Sequence, residues 1–146
     1  MKHAPILLVE DNDDDADLTE MAFREANVSN PIVRARDGVE ALAQLHGSAG
    51  SAPVELPVVV LLDLNLPRVG GLEVLKAIRT NEGTKHLPVV VLTSSDEERD
   101  RIEAYKHFAN SYVRKPVNYD EFVSASRQLG LYWTVTNVPP ISPNVG

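Results

Sequence analysis

Short apolar runs alternate with longer segments of helical periodicity along most of the chain. The apolar runs predict five β-strands, at about residues 6–9, 32–35, 58–62, 89–92 and 111–114. Between and after these runs, apolar residues recur every three or four positions, as they do on one face of an amphipathic helix. This alternation of strands and helices is typical of an α/β fold built on a parallel sheet.

The composition of the predicted strands indicates their order in the sheet. The first, third and fourth strands are apolar without alternation, so helices should cover both of their faces. The second and fifth strands contain Arg34 and Arg114 and should therefore lie at the edges. Strands 1, 3 and 4 in the centre and strands 2 and 5 at the edges give the order 2-1-3-4-5, and right-handed crossovers put helices on both faces of the sheet. In such sheets a ligand binds at the carboxyl ends of the strands where the winding direction reverses, here strands 1 and 3.

The predicted helices differ in the side chains that they offer for burial. The second helix carries the apolar residues Val39, Leu42 and Ala43. A fourth helix, at about 96–108, carries Ile102 and Tyr105, with Ala109 near its end. The first helix follows the acidic run at 13–15, which suits the positive end of the helix dipole. We interpret this acidic run as a solvated helix start and assign it no chemistry.

The composition fits one compact domain with a short extension. The chain has 146 residues, of which 43% are apolar and 24% charged, so it should be globular. Its net charge of -7 argues against non-specific binding to nucleic acid. No apolar stretch approaches the ~20 residues of a membrane-spanning helix, and no signal peptide precedes the first strand. Cysteine is absent, which excludes disulfides and thiolate catalysis and fits the cytoplasm.

Polar side chains follow the apolar runs at the points where the predicted strands end. Glu10 and Asp11 follow the first strand, Asp63 the third, Thr93 the fourth and Lys115 the fifth. The carboxyl ends of parallel strands meet at one edge of the sheet, so these side chains should converge there. Acids in close proximity repel one another unless a cation neutralises them. A magnesium ion and a phosphoryl group would suit such a pocket, with an aspartate as the nucleophile.

The polar clusters and their neighbours resemble the corresponding segments of two-component response-regulator receiver domains. The matching segments are residues 8–12, 62–67, 91–95 and 112–116, and the resemblance extends over about residues 5–131. It implies a flavodoxin-like, doubly wound fold. It also implies a signalling protein that accepts a phosphoryl group, rather than an enzyme that acts on a separate substrate.

The resemblance implies a Mg²⁺ site and a phosphoacceptor at the sheet edge. By this resemblance, Asp63 is the phosphoacceptor and also binds the metal. Asp11 would bind Mg²⁺ directly and Glu10 through water. The main-chain carbonyl of Asn65 would complete the ligands from the protein.

The resemblance also assigns roles to residues that respond to phosphorylation. Thr93 would hydrogen-bond to the phosphoryl group, and Lys115 would pair first with Asp63 and then with the phosphate. Tyr112 matches the aromatic residue that turns inward as Thr93 moves. Pro116 matches a proline that usually follows a cis peptide bond in this family. The changing surface would be formed by helix 4, strand 5 and helix 5.

A narrower resemblance concerns the partner. Residues 109–112 and 115–116, together with Phe122, Tyr132 and Trp133, resemble a subgroup of small receivers that are partnered with bacterial and cyanobacterial phytochrome histidine kinases. We therefore expect a phytochrome-type sensor kinase as the phosphodonor. Because the chain ends soon after its last helix, the regulator should act by binding a partner or by passing its phosphoryl group on.

The C-terminal segment predicts a second copy of the chain as a partner. We divide the chain into a receiver domain at 1–133 and a C-terminal arm at 134–146. The arm is rich in β-branched residues and proline, so it should be extended. With Tyr132 and Trp133 it offers an apolar surface for a symmetric homodimer, together with the face of helix 4, strand 5 and helix 5. A disordered tail is the alternative.

Three other functions compete with a phosphoaccepting switch. A phosphohydrolase that forms an aspartyl-phosphate usually has a second aspartate two residues after the nucleophile, where this chain has Asn65. A pseudo-receiver, which binds a protein partner without taking phosphate, usually lacks one of the acids or the lysine. A nucleotide-binding flavodoxin-like protein is disfavoured because no glycine-rich loop follows the first strand.

Overall fold

The chain folds around a five-stranded parallel sheet in the order β2-β1-β3-β4-β5. The structure is a computed structural model, and it describes residues 4–47, 55–116 and 118–138. The strands are β1 (Ile6–Val9), β2 (Ile32–Ala35), β3 (Val59–Leu62), β4 (Val89–Thr93) and β5 (Ser111–Arg114). The predicted strand order is confirmed, with the two charged strands at the edges.

In the described part of the chain, five α-helices connect or follow the strands. They are α1 (Asp13–Glu25), α2 (Gly38–His46), α3 (Gly71–Thr80), α4 (Glu98–Lys106) and α5 (Tyr119–Leu131). Asn12, Asp37 and Asn118 precede α1, α2 and α5, and each side chain accepts a hydrogen bond from a main-chain N–H of the first turn. These caps fix where three of the helices begin. None of the helices in the described ranges is long and apolar enough to cross a membrane.

The core consists of two apolar layers, one on each face of the sheet. Leu7 and Val9 point into the layer that α2, α3 and α4 cover, and Ile6 and Leu8 point into the layer against α1 and α5. All residues of β1, β3 and β4 are buried, as expected for strands covered on both faces. The sheet is therefore a rigid support for the residues that follow its carboxyl ends.

Two glycines allow the loops at this edge to pack closely. A Cβ on Gly71 would lie 2.3 Å from the main-chain oxygen of Asp63, and one on Gly38 would lie 2.2 Å from that of Val69. Both distances are too short for any side chain, so α3 and the β2–α2 turn can approach the β3–α3 loop only with glycine at these positions. The loop that follows Asp63 is thereby fixed between two neighbouring elements.

The structure corrects the predicted burial of two helices. In α2 the buried residues are Gly38, Ala41 and Leu45, whereas Val39 is 38% exposed. The contact of Gly38 with the β3–α3 loop sets this rotation of the helix. Only Ala104 is buried among the residues of α4.

Two further expectations are wrong within the described residues. Thr134–Thr136 was expected to be extended, but Tyr132–Thr136 continues α5 as a π-helical turn, in which the N–H of Asn137 donates to the carbonyl of Tyr132. The bulk of the predicted arm, residues 139–146, lies outside the described residues. The peptide bond before Pro116 is not cis, since no cis bond occurs in the described ranges.

The C-terminus of α4 places Phe108 in an unfavourable backbone conformation. Its N–H donates to the carbonyl of Tyr105, and the N–H of Ala109 donates to that of Ala104. This is the Schellman pattern, in which the residue at the position of Phe108 is left-handed and is usually glycine. Phe108 has φ 63°, and it is 72% exposed, so the side chain gains little burial in return.

We predict that Phe108→Gly stabilises the protein by about 1 kcal/mol, because glycine adopts a left-handed conformation without the penalty of a Cβ. Chemical denaturation measures the effect. Phe108→Ala is the matched control, since it removes the ring but keeps the Cβ, and it should change stability by less than about 0.5 kcal/mol. A glycine variant less stable than the alanine variant would contradict this interpretation.

Candidate functional site

The carboxyl edge of the sheet gathers the polar residues that the sequence pattern indicated. Glu10 and Asp11 follow β1, Asp63 follows β3, Thr93 is the last residue of β4, and Lys115 follows β5. All except Asp11 are buried, with exposures of 3% for Glu10, 5% for Asp63, 0% for Thr93 and 9% for Lys115. The pairing of β1 with β3, and of β4 with both β3 and β5, brings these strand ends together.

The carboxylate of Asp63 lies at the centre of this group. Its Oδ1 accepts hydrogen bonds from Thr93 Oγ1 at 2.8 Å and from the N–H of Asn65 at 3.0 Å, and its Oδ2 accepts from Lys115 Nζ at 2.9 Å. Burial acts to raise the pKa of Asp63, but the Lys115 charge and the hydrogen bonds outweigh it and lower that pKa below its ordinary value. Asp63 is therefore an ionised carboxylate in a fixed orientation.

The ammonium of Lys115 joins three carboxylates. Its Nζ donates to Glu10 Oε1 at 2.6 Å, to Asp15 Oδ2 at 2.9 Å and to Asp63 Oδ2 at 2.9 Å. An ammonium has three N–H donors, and all of them are used here. Burial acts to lower the pKa of Lys115, but its carboxylate partners outweigh burial and raise that pKa above its ordinary value. Lys115 is thus charged and held on three sides.

Glu10 is a carboxylate whose pKa is raised by burial. Burial raises the pKa of Glu10 to about 7, although Lys115 and the N–H of Asn12 both favour the ionised form. The main-chain carbonyl of Glu10 accepts hydrogen bonds from Arg34 Nε and Nη2 at 3.0 and 2.9 Å. An edge-strand arginine therefore fixes the backbone of Glu10, while its side chain shares the Lys115 ammonium with Asp15 and Asp63.

The acidic side chains lie close enough to hold a divalent cation. Carboxylate oxygens of Glu10, Asp11 and Asp63 all lie within 4.8 Å of one another. Mg²⁺ holds oxygen ligands at about 2.0–2.1 Å, so two of its ligands are at most about 4.2 Å apart, and small side-chain rotations would bring the cluster into range. Asp11 is exposed and the other two are buried, which leaves one side of the cluster open to water. The residues present fit Mg²⁺ or a similar cation.

Hydrogen bonds link Thr93 to the neighbouring loop and to β5. The N–H of Ser95 donates to Thr93 Oγ1 at 3.3 Å, and the carbonyl of Ser95 accepts from the hydroxyl of Tyr112 at 3.1 Å. The hydroxyl of Ser95 donates to Asp100 Oδ2 at 2.6 Å, which connects the loop to α4. Tyr112 packs against the core from its edge strand. A displacement of Thr93 would therefore alter contacts of both α4 and β5.

One contact of the site was missed from the sequence. Asp15 belongs to the acidic run interpreted as a solvated helix start, yet it accepts a hydrogen bond from Lys115. The structure shows why: Asn12 accepts a hydrogen bond from the N–H of Asp15 at 2.9 Å, which fixes Asp15 in the first turn of α1. Asp13 pairs at the surface with Arg34 and Arg36, both at 2.8 Å.

Comparisons with known proteins agree with this geometry. A family model for the response regulator receiver domain matches residues 6–127. The chain belongs to this receiver-domain family. The fold is therefore that of a receiver domain.

Individual relatives are similar over most of their length. The response regulator Rcp1 of Synechocystis sp. is 35% identical over 135 residues, covering 92% of this chain and 92% of Rcp1. A probable methanogenesis regulatory protein, FilR2 of Methanothrix harundinacea, is 40% identical over 137 residues, covering 92% and 86% of the two chains. The crystal structure of the phosphorylated cyanobacterial phytochrome response regulator RcpA has a TM-score of 0.90 and 36% identity, covering 95% and 99%. The Mn²⁺-bound form of Rcp1 has a TM-score of 0.86 and 34% identity, covering 94% and 99%.

We predict that Lys115→Met destabilises this receiver by about 3 kcal/mol at neutral pH, because it leaves buried carboxylates without their cation. Without Lys115 the pKa values of these carboxyls rise in the folded state, so the folded variant binds more protons than the unfolded chain. Its stability then falls as the pH rises, and the loss relative to wild type should be smaller at about pH 5 than at about pH 8.

Urea denaturation at both pH values measures this difference. Lys106→Met is the control, since the Lys106 side chain is 67% exposed and lies 3.7 Å from Glu103. It should have little effect at either pH. A loss for Lys115→Met that is equal at the two pH values would show that the carboxylates do not depend on the ammonium.

Proposed function

We propose that this receiver accepts a phosphoryl group on Asp63 from a phosphohistidine of a sensor histidine kinase, in a Mg²⁺-dependent reaction. The observation that carries this proposal is the Asp63 carboxylate, which is buried, ionised and oriented by Thr93, Asn65 and Lys115 beside the acidic cluster. Phosphoryl transfer depends on the positioning of the nucleophile and on neutralisation of charge, and the contacts of Asp63 provide the first of these.

The transfer exchanges one bond to phosphorus for another. A carboxylate oxygen of Asp63 attacks the phosphorus atom, a P–O bond forms, and the P–N bond to the imidazole breaks with its electron pair remaining on nitrogen. Mg²⁺ held by Glu10, Asp11, Asp63 and the carbonyl of Asn65 would neutralise charge on the phosphoryl oxygens.

The residues around Asp63 are placed to hold the product. Thr93 Oγ1 lies 2.8 Å from Asp63 Oδ1 and can donate to a phosphoryl oxygen on that carboxyl. Lys115 Nζ lies 2.9 Å from Oδ2 and supplies a positive charge to the new dianion. Both groups donate to Asp63 before the reaction, so each needs only to exchange one acceptor for another.

The same contacts provide a route from the site to the surface. Movement of Thr93 toward the phosphoryl group would break its hydrogen bond with the N–H of Ser95. Ser95 is bonded to Tyr112 and to Asp100, so β5 and α4 would follow. We infer that the surface of α4, β5 and α5 is the output of the switch, in which a local contact selects between two arrangements.

Two relatives support a photoreceptor kinase as the phosphodonor. RcpA is a cyanobacterial phytochrome response regulator, and its phosphorylated crystal structure covers 95% of this chain. The bacteriophytochrome response regulator AtBRR is 44% identical in sequence to this chain, and its structure matches with a TM-score of 0.72. We therefore propose a phytochrome-type histidine kinase as the partner of this chain.

We predict that Asp63→Asn abolishes phosphorylation and leaves the fold intact, because the amide keeps the volume of the side chain and removes the nucleophile. Intact-mass spectrometry after incubation with acetyl phosphate, with and without Mg²⁺, measures it. Phosphorylated kinase serves as a second donor. Equal modification of Asp63→Asn and wild type would exclude Asp63 as the acceptor, and a wild type modified by neither donor would favour a pseudo-receiver.

We also propose that two copies of the chain associate through its C-terminal part. Tyr132 is 48% exposed, Val135 74% and Val138 87%, so the end of α5 and the π-helical turn carry apolar side chains in water. Tyr105 and Ile102 on α4 are 51% and 50% exposed. Apolar surface of this kind is typical of a contact between proteins, and residues 134–146 would act as the arm of a homodimer.

We predict that Val135→Glu weakens this association at least about tenfold, since burying a carboxylate in an apolar contact is unfavourable. Sedimentation equilibrium over a range of concentrations measures the dissociation constant. Val39→Glu on α2 is the matched control, because Val39 is also exposed but lies on a different helix. An unchanged dissociation constant for Val135→Glu, or an equal effect of both variants, would reject this interface.

A further inference from the structure

Asp15 makes a contact with the site that the proposed reaction does not use. Its Oδ2 accepts a hydrogen bond from Lys115 Nζ at 2.9 Å, and its side chain is 30% exposed while that of Lys115 is 7% exposed. It comes from α1, whereas the other two acceptors of Lys115 follow β1 and β3. The ammonium is therefore held from a helix as well as from the sheet.

The backbone of Asp15 is fixed on both sides. Its N–H donates to Asn12 Oδ1 at 2.9 Å, and its carbonyl accepts from the hydroxyl of Thr19 at 2.9 Å. Thr19 is 2% exposed. The carboxylate of Asp15 is thus presented to Lys115 by a capped and partly buried first helical turn, not by a mobile loop.

Asp15 differs from the other two acceptors of Lys115 because it can keep the same hydrogen bond throughout the proposed reaction. Glu10 belongs to the acidic cluster that fits a cation, and Asp63 becomes phosphorylated. Both must therefore change partners, whereas Asp15 lies outside the cluster and can keep its contact. A lysine side chain is flexible, and an ammonium that is already held needs no ordering when the phosphoryl group arrives.

We propose that Asp15 is a positioning residue, which anchors the Lys115 ammonium beside Asp63 while Glu10 and Asp63 exchange partners. This inference rests on the proposed phosphorylation of Asp63. As an anchor, Asp15 should speed phosphorylation, so its removal should slow the reaction. If Asp15 acted only through its charge, its removal should speed the reaction instead, because an acid repels an anionic phosphodonor. The direction of the effect therefore distinguishes an anchor from a general contribution to charge.

The test compares Asp15→Asn with Asp14→Asn, which removes the same charge from the neighbouring exposed residue of α1. With acetyl phosphate and Mg²⁺, the maximal phosphorylation rate of Asp15→Asn should fall about tenfold, the size expected for one charge-assisted hydrogen bond. The donor concentration at half-maximal rate should not change. Asp14→Asn should be as fast as wild type or faster.

A second measurement reports the contact in the resting protein, without donor or cation. The hydrogen exchange of the Lys115 ammonium, followed by NMR, should be faster in Asp15→Asn than in wild type and unchanged in Asp14→Asn. Thermal unfolding checks that both variants are folded.

The outcomes separate this inference from the proposed function. If wild type is phosphorylated and both variants match it in rate, Asp15 is not an anchor although Asp63 remains the acceptor. Unchanged ammonium exchange in Asp15→Asn would also overturn the inference. If wild type is not phosphorylated by either donor, the proposed function itself fails.

Discussion

The ammonium of Lys115 is the interaction on which the site depends. It joins carboxylates that follow β1 and β3 to one from α1, and it comes from beyond the last strand of the sheet. Buried ion pairs contribute little net stability, because the attraction between the charges mostly offsets the cost of removing them from water. What the lysine provides is geometry: it fixes Asp63 and Glu10 in one arrangement, in a place where two acids alone would repel each other.

The acidic side chains at this edge of the sheet outnumber the Lys115 ammonium that they contact. Glu10, Asp15 and Asp63 share the Lys115 ammonium, and Asp11 lies in the same acidic cluster as Glu10 and Asp63. Burial, together with the neighbouring Asp63 charge, raises the pKa of Glu10 to about 7, although Lys115 favours the ionised form. A divalent cation held by this cluster would reduce the repulsion among the acids.

The fold could be predicted because its sheet is simple in composition. Strands covered on both faces must be continuously apolar, and that rule placed β1, β3 and β4 in the centre of the sheet. Residues whose position depends on one contact could not be predicted. Val39 faces outward because Gly38 contacts a loop, and Asp15 reaches Lys115 because Asn12 caps α1. Periodicity identifies an apolar stripe but not the neighbour that covers it.

Helix α4 is a further element whose buried face was not predicted by sequence periodicity. Its apolar residues Ile102 and Tyr105 are half exposed, and only Ala104 is buried, so little apolar packing holds the helix against the sheet. Elements with few buried contacts move at low cost in free energy. The hydrogen bond from Ser95 to Asp100 links this loosely packed helix to the loop beside Thr93. A change at Thr93 would displace a well-packed helix only at high cost, whereas α4 can follow it. The exposed apolar face that sequence periodicity assigned to the core is thus compatible with an element that moves.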